Sequence, residues 1–215
     1  RGCKQGIDWQ YPLVELVTAL VFALSFFLIK QAGLEPLWRE DFAIVVSWYL
    51  LSVLIVLFVY DLRYGRVPDE VVLPAIVIAI IYNVIPSVTR NLYTVHSKEI
   101  SPLGFASVEM TMLGVILAII VGTGFFALQY YLSRGRWLGS GDIRIGALMG
   151  AMLGFPLIIE GLVISYMLGG VAGIILLATG KKKFGQTVPL GTFLTLGTAI
   201  VFLYGEQIWS AYWKI

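Results

Sequence analysis

The chain has 215 residues, of which 59% are hydrophobic and 13% charged, with a formal net charge of +2 and a mean hydropathy of +0.88. A soluble domain carries roughly a quarter charged residues. The charges here also cluster between long apolar runs, which excludes an ordinary soluble enzyme and points to repeated membrane crossing. One cysteine (Cys3) and one histidine (His96) exclude an internal disulfide and the usual four-ligand zinc site.

The predicted class is all-α: a polytopic membrane helix bundle of about seven transmembrane segments. In chain order they are Tyr11 to Ile29, Phe42 to Tyr60, Val71 to Pro86, Val108 to Leu132, Ile143 to Gly154, Leu157 to Thr179 and Leu190 to Tyr212. The third and fifth are short. A span needs about 20 apolar residues, so these two require tilt, local thinning or shelter by neighbours. "GALMGAMLG" and "MLGGVAG" read as surfaces for close helix packing. His96 falls in a polar loop, Ser87 to Ser107. The basic residues are too scattered for a nucleic-acid footprint, so the bilayer is the expected partner and nucleic acid is not.

Lysine and arginine set the orientation. If all seven segments cross, Arg1, Lys4, Arg63, Arg66, Arg134, Arg136, Arg144 and Lys181 to Lys183 share one side, and Lys30, Arg39, Arg90, Lys98 and Lys214 the other. Ten against five puts the first set in the cytoplasm. The "KKK" run reads as a topology and headgroup signal.

This orientation brings two acids to one side. Asp61 ends the second segment in "LFVYDLRYGRVPDE", and Asp142 begins the fifth in "RWLGSGDIRIG". Ionisable groups at membrane depth are costly and usually functional. Two carboxyls in close contact cannot both ionise cheaply, so one keeps a proton. The ionised partner activates water and the protonated one donates to a carbonyl oxygen, which is the chemistry of aspartic peptide hydrolysis. The plainer reading makes Asp142 the N-cap of the fifth helix, Asp69 the N-cap of the third and Asp61 a helix-end charge. Gly139 and Gly141 flank Ser140 and permit close backbone approach, so an extended substrate strand has room there. Glu15, one turn inside the first segment, either faces the bundle interior or pairs or snorkels near the interface.

Four stretches resemble a known family in order along the chain. "GSGD" matches the GxGD motif of intramembrane aspartic proteases. "YDLRYGRVPDE" resembles the D-x(6)-P-D segment of bacterial type IV prepilin peptidases, "YPLVELVTAL" the segment after their cysteine-rich cytoplasmic loop, and "TVPLGTFLTLG" the stretch before their last span. The resemblance implies a multi-pass enzyme of the bacterial inner membrane. Such an enzyme is an aspartic endopeptidase that cleaves the leader of prepilins and pseudopilins on the cytoplasmic side. Its substrates carry a basic leader before a hydrophobic helix. It implies Asp61 and Asp142 as catalytic, with Gly139, Gly141 and Asp69 as supporting motif residues. It implies no cofactor for proteolysis and no metal. S-adenosylmethionine enters only through the family's N-methyltransferase activity, which this chain's residues do not support.

The sequence departs from the pattern at Arg144, where the family usually has lysine, and Arg144 is expected to reach headgroups or substrate. Cys3 resembles the last of four family cysteines. Residues 1–10 are therefore expected to be the remnant of a cytoplasmic cysteine-containing loop in an N-terminally truncated chain, and residues 11–215 the membrane-embedded peptidase domain. Two other readings stay open: a transporter or ion-coupling protein using the two aspartates, and a protease of the presenilin and signal-peptide-peptidase type, to which Tyr60–Asp61 and GxGD also fit.

Overall fold

The structure is a computed structural model that describes residues 9–32, 37–96, 112–180 and 189–212. Cys3, residues 97–107 of the expected polar loop and Lys181 to Lys183 lie outside the described residues.

Seven helices make up the described fold: α1 (Gln10–Ala32), α2 (Leu37–Tyr64), α3 (Asp69–His96), α4 (Met112–Ser133), α5 (Ser140–Leu153), α6 (Leu157–Ala178) and α7 (Leu190–Tyr212). Four of them, α1, α2, α4 and α6, are long and apolar enough to cross a bilayer. The apolar part of α7, Leu190–Gly205, is shorter. The protein is a multi-pass membrane protein built as an all-α bundle.

The third segment is short only in its apolar part. As a helix, α3 has 28 residues and continues past Pro86 to His96. The expected loop from Ser87 is therefore helical over its first ten residues. A helix satisfies its backbone hydrogen bonds internally, so loss of apolar side chains ends the hydrophobic span without ending the helix.

The fifth segment is short in every sense. At 14 residues, α5 is about 21 Å long against a hydrocarbon core of about 30 Å. It is sheltered by its neighbours, packing most extensively on α4 and also on α3, α7 and α6. Ile145, Leu148, Met149, Ala151, Met152 and Leu153 are all buried along it. Small residues allow that placement. A Cβ built on Gly150 would lie 2.5 Å from the Ala118 carbonyl oxygen and 2.7 Å from Ile119 Cα, so α4 and α5 meet backbone to backbone there. "MLGGVAG" behaves differently. A Cβ on Gly169 would lie 3.5 Å from the Phe193 ring of α7, whereas one on Gly170 or Gly173 would meet nothing within 4 Å, so only part of this stretch of α6 is the packing surface expected. Gly170 and Gly173 face open space instead of a helix.

The core forms around α2, α3 and α5, with Leu50, Leu54, Leu57, Val72, Ala75, Leu148 and Met152 almost wholly buried. A second cluster joins Ala118 of α4, Met149 of α5, Ile158 of α6 and Val201 of α7. By contrast, the outer face of α1 is exposed at Leu13, Leu16 and Leu20, as suits a helix facing lipid.

Candidate active site

Asp61 lies in the last turn of α2. That turn is closed by Gly65, whose φ of 58° is left-handed and whose N–H donates to the Asp61 carbonyl oxygen at 2.8 Å. A glycine just past the helix end adopts this conformation without the Cβ penalty other residues incur. The side chain of Asp61 is 5% exposed. A carboxylate at a helix C-terminus meets the negative end of its own helix dipole, so it needs compensation from elsewhere.

That compensation comes from α7. The Thr192 backbone N–H donates to Asp61 Oδ2 at 2.7 Å, and the Thr192 hydroxyl donates to the same oxygen at 3.0 Å. Thr192 is the third residue of α7, where backbone N–H groups have no partner within the helix and the dipole favours an anion. The approach depends on Gly191. A Cβ there would sit 2.9 Å from both Asp61 Cγ and Oδ2.

Asp142 is the third residue of α5, not its N-cap. Gly139 is the N-cap, extended at φ −79° and ψ 155°. Asp142 Oδ2 accepts the Gly139 N–H at 3.0 Å, the reaching-back half of a capping box. It is also 8% exposed. Capping does not withdraw this carboxyl from the cleft: one oxygen holds the turn, and the side chain still lines the cleft.

α2 runs toward this end of the bundle, whereas α5 and α7 run away from it. The two carboxyls and Thr192 thus converge at one end of the molecule. Asp61 and Asp142 line a single cleft of about 600 Å³, together with Leu62, Leu138 and Leu190 and with Arg66, Arg136 and Arg144. It is open and polar, large enough for a short stretch of extended peptide.

The supporting residues divide. Gly141 is required sterically, because a Cβ there would come within 2.7 Å of Val67 Cγ2 and push away the turn that follows Asp61. Gly139 is not required in that way: its backbone is open to any residue, and a Cβ would make only ordinary contact, 3.8 Å from Asp142 Oδ2. Asp69 does not cap α3. The first helical bond, from the Val72 N–H, ends on the Pro68 carbonyl, which places Asp69 inside the first turn. Its carboxylate pairs with the Arg144 guanidinium, so Arg144 has a partner within the protein. Glu15 is exposed on α1 and does not face the bundle interior, since α1 packs chiefly on α2 and leaves that face uncovered.

Sequence reasoning missed Gly191 and Thr192 as parts of the site. A signal was present in "TVPLGTFLTLG": a proline, a glycine and a threonine open a helix there. Nothing in linear order says that this helix start meets Asp61, which lies 131 positions earlier. Among the described residues, no three of His, Cys, Asp and Glu come together in a way that would hold a metal.

The profile of the type IV leader peptidase family matches residues 48–174, which include both aspartates. The chain is similar to the "Prepilin leader peptidase/N-methyltransferase" of Pseudomonas aeruginosa, with 26% identity over 211 residues that cover 98% of this chain and 64% of that protein. The protein of the same name from Aeromonas salmonicida is 27% identical over 208 residues, 97% of this chain and 62% of that protein. That of Bacillus subtilis is 27% identical over 216 residues, 100% of this chain and 74% of that protein. The chain therefore spans just under two thirds of the length of the first two relatives. No solved structure matches it.

Proposed function

The chain belongs to the type IV leader peptidase family, and from that premise we propose that it is a membrane aspartic endopeptidase that cleaves the leader of prepilins or pseudopilins. Asp61 and Asp142 are its catalytic residues. Residues 11–215 act as one membrane-embedded peptidase domain, with the cleft on the cytoplasmic side of a bacterial inner membrane. The orientation rests on the excess of arginine and lysine at the cleft end. The substrate has a short basic leader followed by a hydrophobic helix.

One observation carries the reading: two buried carboxyls, delivered by helices of opposite direction, line the same peptide-sized cleft. With one carboxyl ionised and the other protonated, the ionised oxygen takes a proton from water. The water oxygen attacks the scissile carbonyl carbon, and the protonated carboxyl donates its proton to the carbonyl oxygen. The tetrahedral diol then collapses. The C–N bond breaks, the amine leaves with one proton, and the new carboxyl group keeps the water oxygen. A transporter reading fits less well. Coupling sites lie on broken helices near the bilayer midplane, whereas these acids sit at helix ends.

The relatives' names also include methyl transfer. S-adenosylmethionine has a zwitterionic amino-acid end and a sulfonium, which charged partners stabilise most strongly. The cavity at the opposite end, about 300 Å³ between Ser47, Asn83 and Gln207, has no charged side chain among the described residues of its lining. The described residues do not fit that cofactor there, and no step is routed through it.

Leader cleavage of a purified prepilin by membranes containing the parent, Asp61→Asn or Asp142→Asn chain tests the proposal. Each substitution is expected to lower the rate by about 10³-fold or more. Cleavage near the parent rate by either well-expressed variant would overturn it.

A further inference from the structure

The two carboxyls are held differently, and the difference assigns their roles. Asp61 Oδ2 accepts two hydrogen bonds, from the Thr192 N–H and hydroxyl, at the start of α7. Asp142 Oδ2 accepts one, from the Gly139 N–H. Among the described residues, no donor is placed on the other oxygen of either group. Donors aimed at a carboxylate favour its charged form, and a helix N-terminus adds to that preference.

Thr192 is also exceptional on its own helix. Thr195 turns its hydroxyl back to the Gly191 and Thr192 carbonyls, and Thr198 to the Leu194 carbonyl. These are the ordinary bonds of hydroxyls within a membrane helix. Thr192, 4% exposed, directs its hydroxyl across to α2 instead. Gly191 leaves the space that lets it reach.

We propose that Thr192 is the positioning residue of this site: its two donors hold Asp61 as the ionised general base, which leaves Asp142 as the carrier of the shared proton. The assignment rests on the aspartic peptidase reading above and adds to it which carboxyl does what. Asp61 Oδ1 receives the proton from water, and Asp142 donates its proton to the scissile carbonyl oxygen. The other charged groups lining the cleft are Arg66 after α2, Arg136 before α5 and Arg144 on α5. Arg144 is partnered by Asp69 of α3. The part of α7 at the cleft, Leu190, brings no titratable group. On α1, Glu15 is exposed.

The test is the pH profile of kcat/KM for leader cleavage by the parent, Thr192→Val and Thr192→Ser chains in membranes. Valine keeps the shape and the backbone N–H but removes the hydroxyl. Its acid limb should move up by about one pH unit, as expected for losing a hydrogen bond to a buried charge. Its alkaline limb should move less, and its rate at the optimum should fall by about tenfold. Serine should restore both the limb and the rate. A valine profile that superimposes on the parent's would overturn the proposal. So would a shift confined to the alkaline limb, which would reverse the roles. If the valine chain fails to accumulate, Thr192→Ala removes the same donor with less bulk and carries the same measurement. Failure of the underlying peptidase reading is seen separately, as cleavage that survives Asp61→Asn or Asp142→Asn.

Discussion

Asp69, in the first turn of α3, forms an ion pair with Arg144, in the second turn of α5. The pair ties the turn that follows Asp61 to the helix that carries Asp142. It joins the second aspartate of the D-x(6)-P-D segment to the residue two after GxGD, and so links two motifs that are 75 positions apart.

The partners are 47% and 40% exposed, so the pair contributes at most about 1 kcal/mol. Asp69→Asn should therefore lower leader cleavage by no more than about fivefold, with little change in thermal stability. Arg144→Lys keeps the charge and should stay nearer the parent. The exchange Asp69→Arg with Arg144→Asp should recover most of the loss. Cleavage rates of these chains in membranes check the point. An Asp69→Asn chain as inactive as Asp61→Asn would mean that Asp69 takes part in the chemistry itself.

The two cleft aspartates should behave as one unit. If Asp61→Asn and Asp142→Asn each lower the rate by about 10³-fold, the double variant should be no slower than the slower single one. Independent contributions would multiply to about 10⁶-fold. Rates measured at long incubation, with the level of each chain fixed by quantitative blotting, separate the two outcomes.

The helix count and most segment limits were legible because the helices are apolar runs set off by polar and charged stretches, four of them of full spanning length. The limits of α7 match to the residue. The reach of α3 was not legible, because hydropathy marks where apolar side chains end and not where the helix does. In the site, Asp61 and Asp142 were visible as acids at the edges of apolar runs. Thr192 was hidden, because a threonine opening a helix reads as local capping chemistry until its helix is placed against α2. The Asp69–Arg144 pair was hidden for the same reason: each residue has an adequate local explanation, as a cap or as a headgroup contact. Close packing was legible at Gly150 and misread at Gly170 and Gly173, since small residues look alike whether they face a helix or open space.

That contrast is measurable. Gly150→Val would force methyl groups into the Ala118 and Ile119 backbone, and overpacking of this kind costs about 1–3 kcal/mol. It should lower the unfolding temperature in detergent and reduce accumulation in the membrane. Gly173→Ala adds a methyl where nothing lies within 4 Å and removes a helix-interior glycine. It should be neutral or stabilising by up to about 1 kcal/mol. Thermal unfolding curves of the two chains, recorded side by side, would show equal losses if α4 and α5 were not in close contact.

The orientation can be tested with single reporters. Cys3 is the chain's one cysteine, so replacing it with serine gives a clean background. Trp137 is 70% exposed beside the cleft, whereas Ser133, four residues earlier, is 6% exposed and bonded to the Tyr130 carbonyl. Trp137→Cys is therefore the better reporter for the cleft end, and Asp41→Cys, exposed near the start of α2, reports on the opposite end. Arg63, Arg66, Arg134, Arg136 and Arg144 all lie at the cleft end, and an excess of arginine marks the cytoplasmic side. A thiol reagent that cannot cross membranes should label Asp41→Cys in intact cells and leave Trp137→Cys unlabelled until the cells are opened. The reverse pattern would put the cleft outside. A peptidase there would meet leaders only after they had crossed the membrane, so the proposed cytoplasmic cleavage would fail with it.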